Sequence, residues 1–285
     1  MIKHRLLFGA LMIAAFGSVV ILDGLLDGSL TASAPDKPVQ GTVLCILIAA
    51  LALPAQLELA KLAAARNVRI FAPFGAVASI LLATTWYWPQ LTDISQSLYL
   101  AVVLALVLAG LLLHQQICCG TTGVIVNCGA SLFGICYLGL LSGFVLAIRI
   151  DFGLWPLLMF VGVIKCADIG AWSVGKMFGR HKFSPRISPG KTWEGMGGAV
   201  VAGTLAAVLF ATFCDIMVWP AALIFGVCFA FIGQLGDLAE SMIKRDAQQK
   251  DSANKVPGFG GILDIIDSPL LAAPLAYLFF AFCAE

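Results

Sequence analysis

Apolar residues run in blocks of about twenty along nearly the whole chain, separated by short polar connections. A helix rises 1.5 Å per residue, so roughly 20 residues cross about 30 Å of hydrocarbon. Blocks of that length fall near residues 6–26, 41–60, 70–88, 98–114, 123–147, 153–175, 195–213, 216–240 and 262–282. Within hydrocarbon a segment must satisfy its own backbone N–H and C=O groups, which selects helices. The expected fold is therefore all-α, a polytopic transmembrane helix bundle with about nine spans. It is read as a single integral membrane domain over 1–285, with N-terminal spans over 1–150 and a C-terminal half, 151–285, that carries the chemistry. The basic start followed by an apolar run looks like a signal peptide, but no small-residue cleavage site follows convincingly, so a retained first helix is expected.

Charge placement orients these spans. Lys3 and Arg5, then Lys61, Arg66 and Arg69, then Lys176, Arg180, Lys182, Arg186 and Lys191, then Lys244, Arg245, Lys250 and Lys255 all fall on one side if the segmentation holds. The other side collects Asp27, Asp36, Asp93, Asp151 and Asp215, with Lys37 and Arg149 as its only basic company. The positive-inside rule then expects a multi-pass protein of the cell's inner (plasma) membrane, with a cytoplasmic N-terminus and basic face and an external C-terminus. Trp86, Trp88, Trp155 and Trp219 fall at the outer ends of spans, where an indole can be half wet.

Composition agrees. A chain of 285 residues that is 60% hydrophobic and 12% charged, with mean hydropathy +0.98, exceeds what a water-soluble core needs. A net charge of +1 with its basic residues in connections gives no nucleic-acid surface, so no nucleic-acid partner is expected. The nine cysteines have no regular ligand spacing and are read as small buried hydrophobes. Gly139 to Gly143 and Gly175 to Gly179 have the small-xxx-small spacing that permits close helix packing.

Three polar groupings converge on the basic side. Lys165 and Asp168, three apart within one span, can neutralise each other inside the bundle, either as a structural pair or with Asp168 lining a functional cavity. The stretch 181–198 reads as an ordered elbow: Ser188 and Pro189 offer a cap and first-turn pair, and Arg186 and Lys191 suit a phosphate. Glu58, near the inner end of the second span, divides between a structural and an accessory site role.

The third grouping runs from Asp237 to Ser268. Asp237, Ser241 and Lys244 share a face of a helix leaving the membrane, and Asp264, Asp267 and Ser268 share a face of the returning helix. The positive-inside rule explains Lys244, Arg245, Lys250 and Lys255, but not Asp237, Glu240, Asp264 and Asp267 at the membrane boundary. Carboxylates facing one another beside cations and a glycine-rich turn, Pro257 to Gly261, are what a hard cation and a polyphosphate require.

These residues resemble the phosphatidate cytidylyltransferases, or CDP-diacylglycerol synthases. SMIKR at Ser241 to Arg245, KD at Lys250 and Asp251, PGFGG at Pro257 to Gly261 and DIID at Asp264 to Asp267 match the family's C-terminal signature; GDLAES at 236–241 and ISPGKTWEG at 187–195 look like further family motifs. The resemblance is clear from near Asp168 onward. It implies transfer of CMP from CTP to phosphatidic acid in a lipid membrane. By similarity, Asp237, Asp264 and Asp267 are expected at a Mg2+ centre, with allowance for a second, monovalent cation such as K+. Catalytic roles are expected of Asp237, Ser241, Lys244 and Asp264. Contacts to the bound nucleotide or its phosphates are expected of Arg186, Lys191, Arg245, Lys250, Asp251, Gly258, Gly260 and Gly261. A homodimer is compatible with the resemblance.

Two positions depart from the family pattern: Phe259 stands where histidine or asparagine is usual, and Ile265 where arginine is usual. Those replacements keep a second substrate reading open, a cytidylyltransferase acting on an isoprenoid or ether-lipid phosphate. A secondary transporter and a non-catalytic membrane scaffold remain as readings of another class, although no inverted repeat is evident.

Overall fold

The computed structural model describes residues 2–30, 38–249, 252 and 260–283, with side chains at 11 and from 13 onward within those ranges. Asp36, Lys37 and Lys255 lie outside the described residues, as do the side chains of Lys3 and Arg5. Nine helices form among the described residues: α1 (Ile2–Asp27), α2 (Thr42–Ala64), α3 (Ala72–Trp86), α4 (Gln96–Cys119), α5 (Val124–Phe152), α6 (Leu154–Phe178), α7 (Trp193–Cys214), α8 (Trp219–Asp246) and α9 (Leu263–Cys283). Each expected span coincides with one of them. Seven, α2 and α4 to α9, are long and apolar enough to cross a membrane, while α3 is too short to do so unaided. The protein is an all-α, multi-pass membrane bundle, with residues midway along helices, such as Leu106 of α4 and Leu205 of α7, exposed on its sides as lipid-facing helices require.

Small residues set the helix spacing. A methyl group on Gly139 would lie 2.7 Å from the backbone of Ser79, so α3 and α5 touch nearly backbone to backbone; one on Gly198 would meet the Gly170 carbonyl at 2.6 Å where α6 crosses α7. Behind these crossings, Phe160, Phe225, Phe229 and Phe280 fill the space between α6, α8 and α9, with the Phe225 and Phe229 rings 4.2 Å apart.

Helix α5 runs five residues beyond its apolar block because its last turn is a π-helix, Ile148–Phe152; a second π turn covers Cys136–Leu140. Arg149, expected in an outer connection, is consequently drawn into the bundle and fully buried. Its Nε lies 2.9 Å from Asp23 Oδ2 and its Nη2 pairs with Asp27 Oδ2 and donates to Ser29 Oγ. Asp23 Oδ1 also accepts from the Val43 backbone N–H, so one arginine joins α1, α2 and α5. Trp86 is likewise drawn inward, against Phe144 and Tyr277, whereas Trp88, Trp155 and Trp219 stay exposed as expected.

Removing one partner of a buried ion pair strands the other charge, at a cost of about 3–5 kcal/mol. Arg149→Ala should therefore lower stability by about that much, read as the thermal unfolding midpoint in detergent, whereas Arg66→Ala, whose pair with Asp246 is exposed, should cost less than about 1 kcal/mol. Equal effects would show that the Arg149 cluster contributes no more than a surface pair.

Candidate active site

At the basic end, α8 continues past its apolar block to Asp246, where Lys244 and Arg245 in the last turn offset the negative end of the helix dipole. Asp237, Glu240, Ser241 and Lys244 share one face, and Ser241 Oγ donates to Asp237 Oδ1 at 3.3 Å. Buried Lys244 is held between Glu240, one turn back, and Asp264 of α9.

Helix α9 enters with an interruption. Pro269 has no N–H, which frees the carbonyl four residues earlier, that of Ile265. Lys165, midway along α6, takes that carbonyl at 3.0 Å and lies 3.7 Å from Asp168 Oδ2. An intramembrane lysine thereby replaces a missing helical hydrogen bond.

The turn that leads into α9 is fixed by two carboxylates. Asp264 Oδ2 accepts from Ser252 Oγ at 2.7 Å, Ser252 N at 3.1 Å and Gly261 N at 2.7 Å. Fully buried Glu58, reaching in from α2, accepts from Leu263 N at 3.1 Å and Ser252 Oγ at 3.2 Å. Gly260 adopts φ 93°, open to glycine at little cost. A side chain on Gly261 would collide with Ser252 Oγ and the Glu58 carboxylate.

Beside this end lies a cleft of about 720 Å3 between α6, the hairpin β1 (Lys182–Ser184) and β2 (Ser188–Thr192), and the starts of α7 and α8's inner half; Asp168, Trp172, Phe183, Lys191, Thr192 and Asp237 are among its lining residues. Ser188 and Pro189, expected to open a helix, instead lie in β2, where Ser188 pairs with Ser184 of β1. The cap of α7 is Thr192, whose Oγ1 accepts from Gly195 N at 3.1 Å. The strand delivers Lys191 into the cleft, where its Nζ meets Asp237 Oδ2 and the Gln234 carbonyl, both at 2.8 Å. Gln234 Nε2 in turn donates to Asp168 Oδ1 at 2.9 Å, so Asp168 does line the cavity.

Of the residues singled out in the sequence, Asp237, Ser241, Lys244, Asp264, Asp267 and Lys191 come together. Arg245 is exposed and donates to the carbonyls of Ile187 and Gln249; Arg186 is exposed in the hairpin turn, two residues before Ser188 of the cleft lining, and is not itself among the lining residues. Gly260 and Gly261 shape the entry to α9, while Lys250, Asp251, Gly258 and Phe259 lie outside the described residues. The oxygens that converge within 4.8 Å of one another belong to Asp237, Glu240 and Asp267, whereas Asp264 faces Lys244 and the turn. Opposite ligands of one Mg2+ ion are about 4.2 Å apart, so small side-chain rotations let this trio hold a hard cation. Glu240 was singled out in the sequence as an acid the positive-inside rule does not explain, but without a role at the metal. Gln234 and Trp172 were not anticipated, and their signals were spacing alone, Gln234 three residues before Asp237 and Trp172 one turn beyond Asp168.

Comparison with known proteins bears on what this arrangement is. The profile of the cytidylyltransferase family matches residues 35–283, well over half of the chain. The chain belongs to the cytidylyltransferase family. Relatives named phosphatidate cytidylyltransferase include one from Mycobacterium bovis, 42% identical over 125 residues, 44% of this chain and 40% of the relative. One from Haemophilus influenzae is 38% identical over 135 residues, 46% of this chain and 47% of the relative. One from Bacillus subtilis is 38% identical over 148 residues, 51% of this chain and 55% of the relative. The chain thus spans about half the length of the curated relatives it matches. For this member of the cytidylyltransferase family, the cleft and the carboxylate and lysine cluster lie within the matched residues.

The close fit at Gly261 gives a direct check. Gly261→Ala should displace Ser252 or Glu58 and cost about 1–3 kcal/mol, the usual range for overpacking, measured as a lowered unfolding midpoint. The same substitution at Gly197, which has open space around it, should fall within about 0.5 kcal/mol of the parent.

Proposed function

We propose that this protein transfers CMP from CTP to the phosphate of phosphatidic acid, giving CDP-diacylglycerol and pyrophosphate. The observation that carries the reading is the adjacency of a nucleotide-sized polar cleft to an acidic cluster with a buried lysine, at the end of a membrane bundle. Sites for small molecules and cofactors commonly occupy about 300–1,000 Å3, which includes the cleft's about 720 Å3. Trp172 and Phe183 offer aromatic surface for the base, and Lys191 offers a cation to the phosphates.

An oxygen of the lipid phosphate attacks the α-phosphorus of CTP in line, forming one P–O bond while the bond to the β-phosphate oxygen breaks and pyrophosphate leaves with the electron pair. The attacking phosphate is already ionised near neutral pH, so no residue need remove a proton. Lys244 is held charged between two carboxylates, where it offsets negative charge on the transferring group. Asp264 keeps Lys244, Ser252 and Gly261 in place, and Ser241 orients Asp237. Asp237, Glu240 and Asp267 are the residues that would hold Mg2+, which when bound neutralises triphosphate charge and activates the α-phosphorus. A second, monovalent cation such as K+ is carried over from the family resemblance; Lys191 and Lys244 already offset the charges of Asp237 and Glu240. By the family signature, Arg245, Lys250, Asp251 and the glycines 258, 260 and 261 are carried over as contacts to the nucleotide or its phosphates.

The basic end and its site are assigned to the cytoplasm of a cell membrane, with the C-terminus external. CTP then arrives from water while the acyl chains stay among the helices.

Labelled CTP and Mg2+ supplied with a panel of lipid phosphates test the reading. CMP transfer to phosphatidic acid is expected; transfer only to an isoprenoid or ether-lipid phosphate would replace the substrate, and solute flux without nucleotide turnover would replace the class. Asp237→Asn and Asp267→Asn should each lower turnover by about a hundredfold or more and raise the Mg2+ concentration needed for half-maximal rate, while Asp264→Asn should lower turnover with the Mg2+ requirement nearly unchanged. A shifted Mg2+ requirement in Asp264→Asn alone would move the metal to Asp264.

A further inference from the structure

Besides the polar cleft, the bundle holds an apolar slot of about 200 Å3, walled by Phe16 of α1, Ile48 and Ala52 of α2, Leu138 of α5, Val161 of α6 and Ile265 of α9. It is larger than the roughly 150 Å3 apolar cavity that takes a benzene-sized guest, and such cavities stay dry. Only Ser79 and Ser142 bring polar side chains to its lining, and the Ser142 hydroxyl is spent on the carbonyl of Gly139 at 3.0 Å. Water has little to bind there, whereas a hydrocarbon chain has everything.

What distinguishes this slot from a packing defect is the cation at its edge. Lys165 is one helical turn beyond Val161 on the same face of α6, and it bonds the carbonyl of Ile265, so two residues that wall the slot flank it. Its other contact is Asp168, which lines the polar cleft. The lysine therefore stands at the junction between the apolar slot and the polar cleft. An ammonium has three donors; the bond to Ile265 uses one, and the Asp168 contact, at 3.7 Å, is an ion pair longer than a hydrogen bond. A lysine midway along a spanning helix is expensive in hydrocarbon and marks a path or a ligand more often than a fold.

We propose that the slot receives one acyl chain of the lipid substrate and that Lys165 meets that lipid's phosphate at the junction, making it a specificity-determining residue. This rests on the proposed lipid-phosphate acceptor. Charge complementarity selects the occupant: an anionic head group joined to a hydrocarbon tail satisfies both halves of the junction, whereas a neutral diacylglycerol satisfies only the slot. The hydrogen bond to Ile265 fixes the lysine by a main-chain contact, so the ammonium is positioned before the lipid arrives and little side-chain entropy is lost on binding.

Lys165→Met keeps the length of the side chain and removes the charge. Loss of a charge-assisted hydrogen bond should raise KM for phosphatidic acid by about ten- to a hundredfold with KM for CTP nearly unchanged, and Lys165→Arg should restore part of the loss. Ala52→Phe fills the slot and should raise KM for dipalmitoyl phosphatidic acid by about tenfold or more relative to a short dibutanoyl analogue, because the short tails do not need the slot. Equal effects of Lys165→Met on the two substrates' KM, or equal effects of Ala52→Phe on the two tail lengths, would overturn the assignment. Binding is read separately from turnover with phosphatidic acid carrying a diazirine in one acyl chain. Labelling of α2, α5 or α9 residues around the slot, reduced in Ala52→Phe, is expected even if CMP transfer fails. Labelling confined to the outward faces of α4 or α7 would overturn the slot while leaving the transfer reaction standing.

Discussion

Lys244 between Glu240 and Asp264 is the contact on which the working end of the molecule depends. A buried ammonium is tolerable only with anions against it, and a buried carboxylate only with donors, so each charge brings its partners with it. Glu240 belongs to the same helix as Lys244, but Asp264 belongs to the next, and the pair therefore sets how α8 and α9 face each other. The second oxygen of Asp264 then organises Ser252 and Gly261, and those in turn meet Glu58 from α2. One ammonium charge thus links the helix that precedes the turn, the helix that follows it, and a span nearly two hundred residues earlier in the chain.

The same constraint acts at the opposite end with the same arrangement of signs, one cation between two carboxylates. There a single buried arginine is held between Asp23 and Asp27 and joins the N-terminal helices to α5; the two aspartates also border a groove of about 460 Å3, but Arg149 itself is fully buried and does not line it. The contrast separates structure from chemistry on physical grounds. Arg149 is enclosed by its partners, whereas Lys191, Asp237 and Asp168 share their charges with a cleft open to solvent. Enclosed charge stabilises one arrangement of helices; charge at an open cleft is available to a ligand.

Much of this was readable from the chain. Twenty-residue apolar blocks located every helix, because span length follows from bilayer thickness alone, and the i, i+4, i+7 spacing put Asp237, Ser241 and Lys244 on one face as the structure has them. What escaped was set by partners distant in sequence. Nothing local to Arg149 distinguishes a loop arginine from one enclosed by α1, since the π turn that draws it in depends on Asp23 and Asp27 more than 120 residues away. Ser188 and Pro189 have the chemistry of a helix start, but pairing with Lys182–Ser184 moved the start to Thr192. Glu240 was visible as an unexplained acid at the membrane boundary, yet its approach to Asp237 and Asp267 is a tertiary fact. Glu58 had two readings, and its bonds to Leu263 and Ser252 give it a place against the site.

The departure at Ile265 is best understood from the two different things a residue offers. Its side chain walls the apolar slot, and an arginine there would bring a charge into a lining that otherwise has almost no polar atoms. Its carbonyl, which any residue would present, is left free by Pro269 and is taken by Lys165. A cation therefore stands beside position 265 although that position supplies none, and it comes from α6. Because α6 is continuous through Lys165 while α9 begins with an interruption, the charge rests on the more rigid of the two supports. The substitution that looked like the loss of a phosphate contact leaves positive charge at the same junction and makes the neighbouring wall fully apolar, which suits a ligand that is anionic at one end and hydrocarbon at the other.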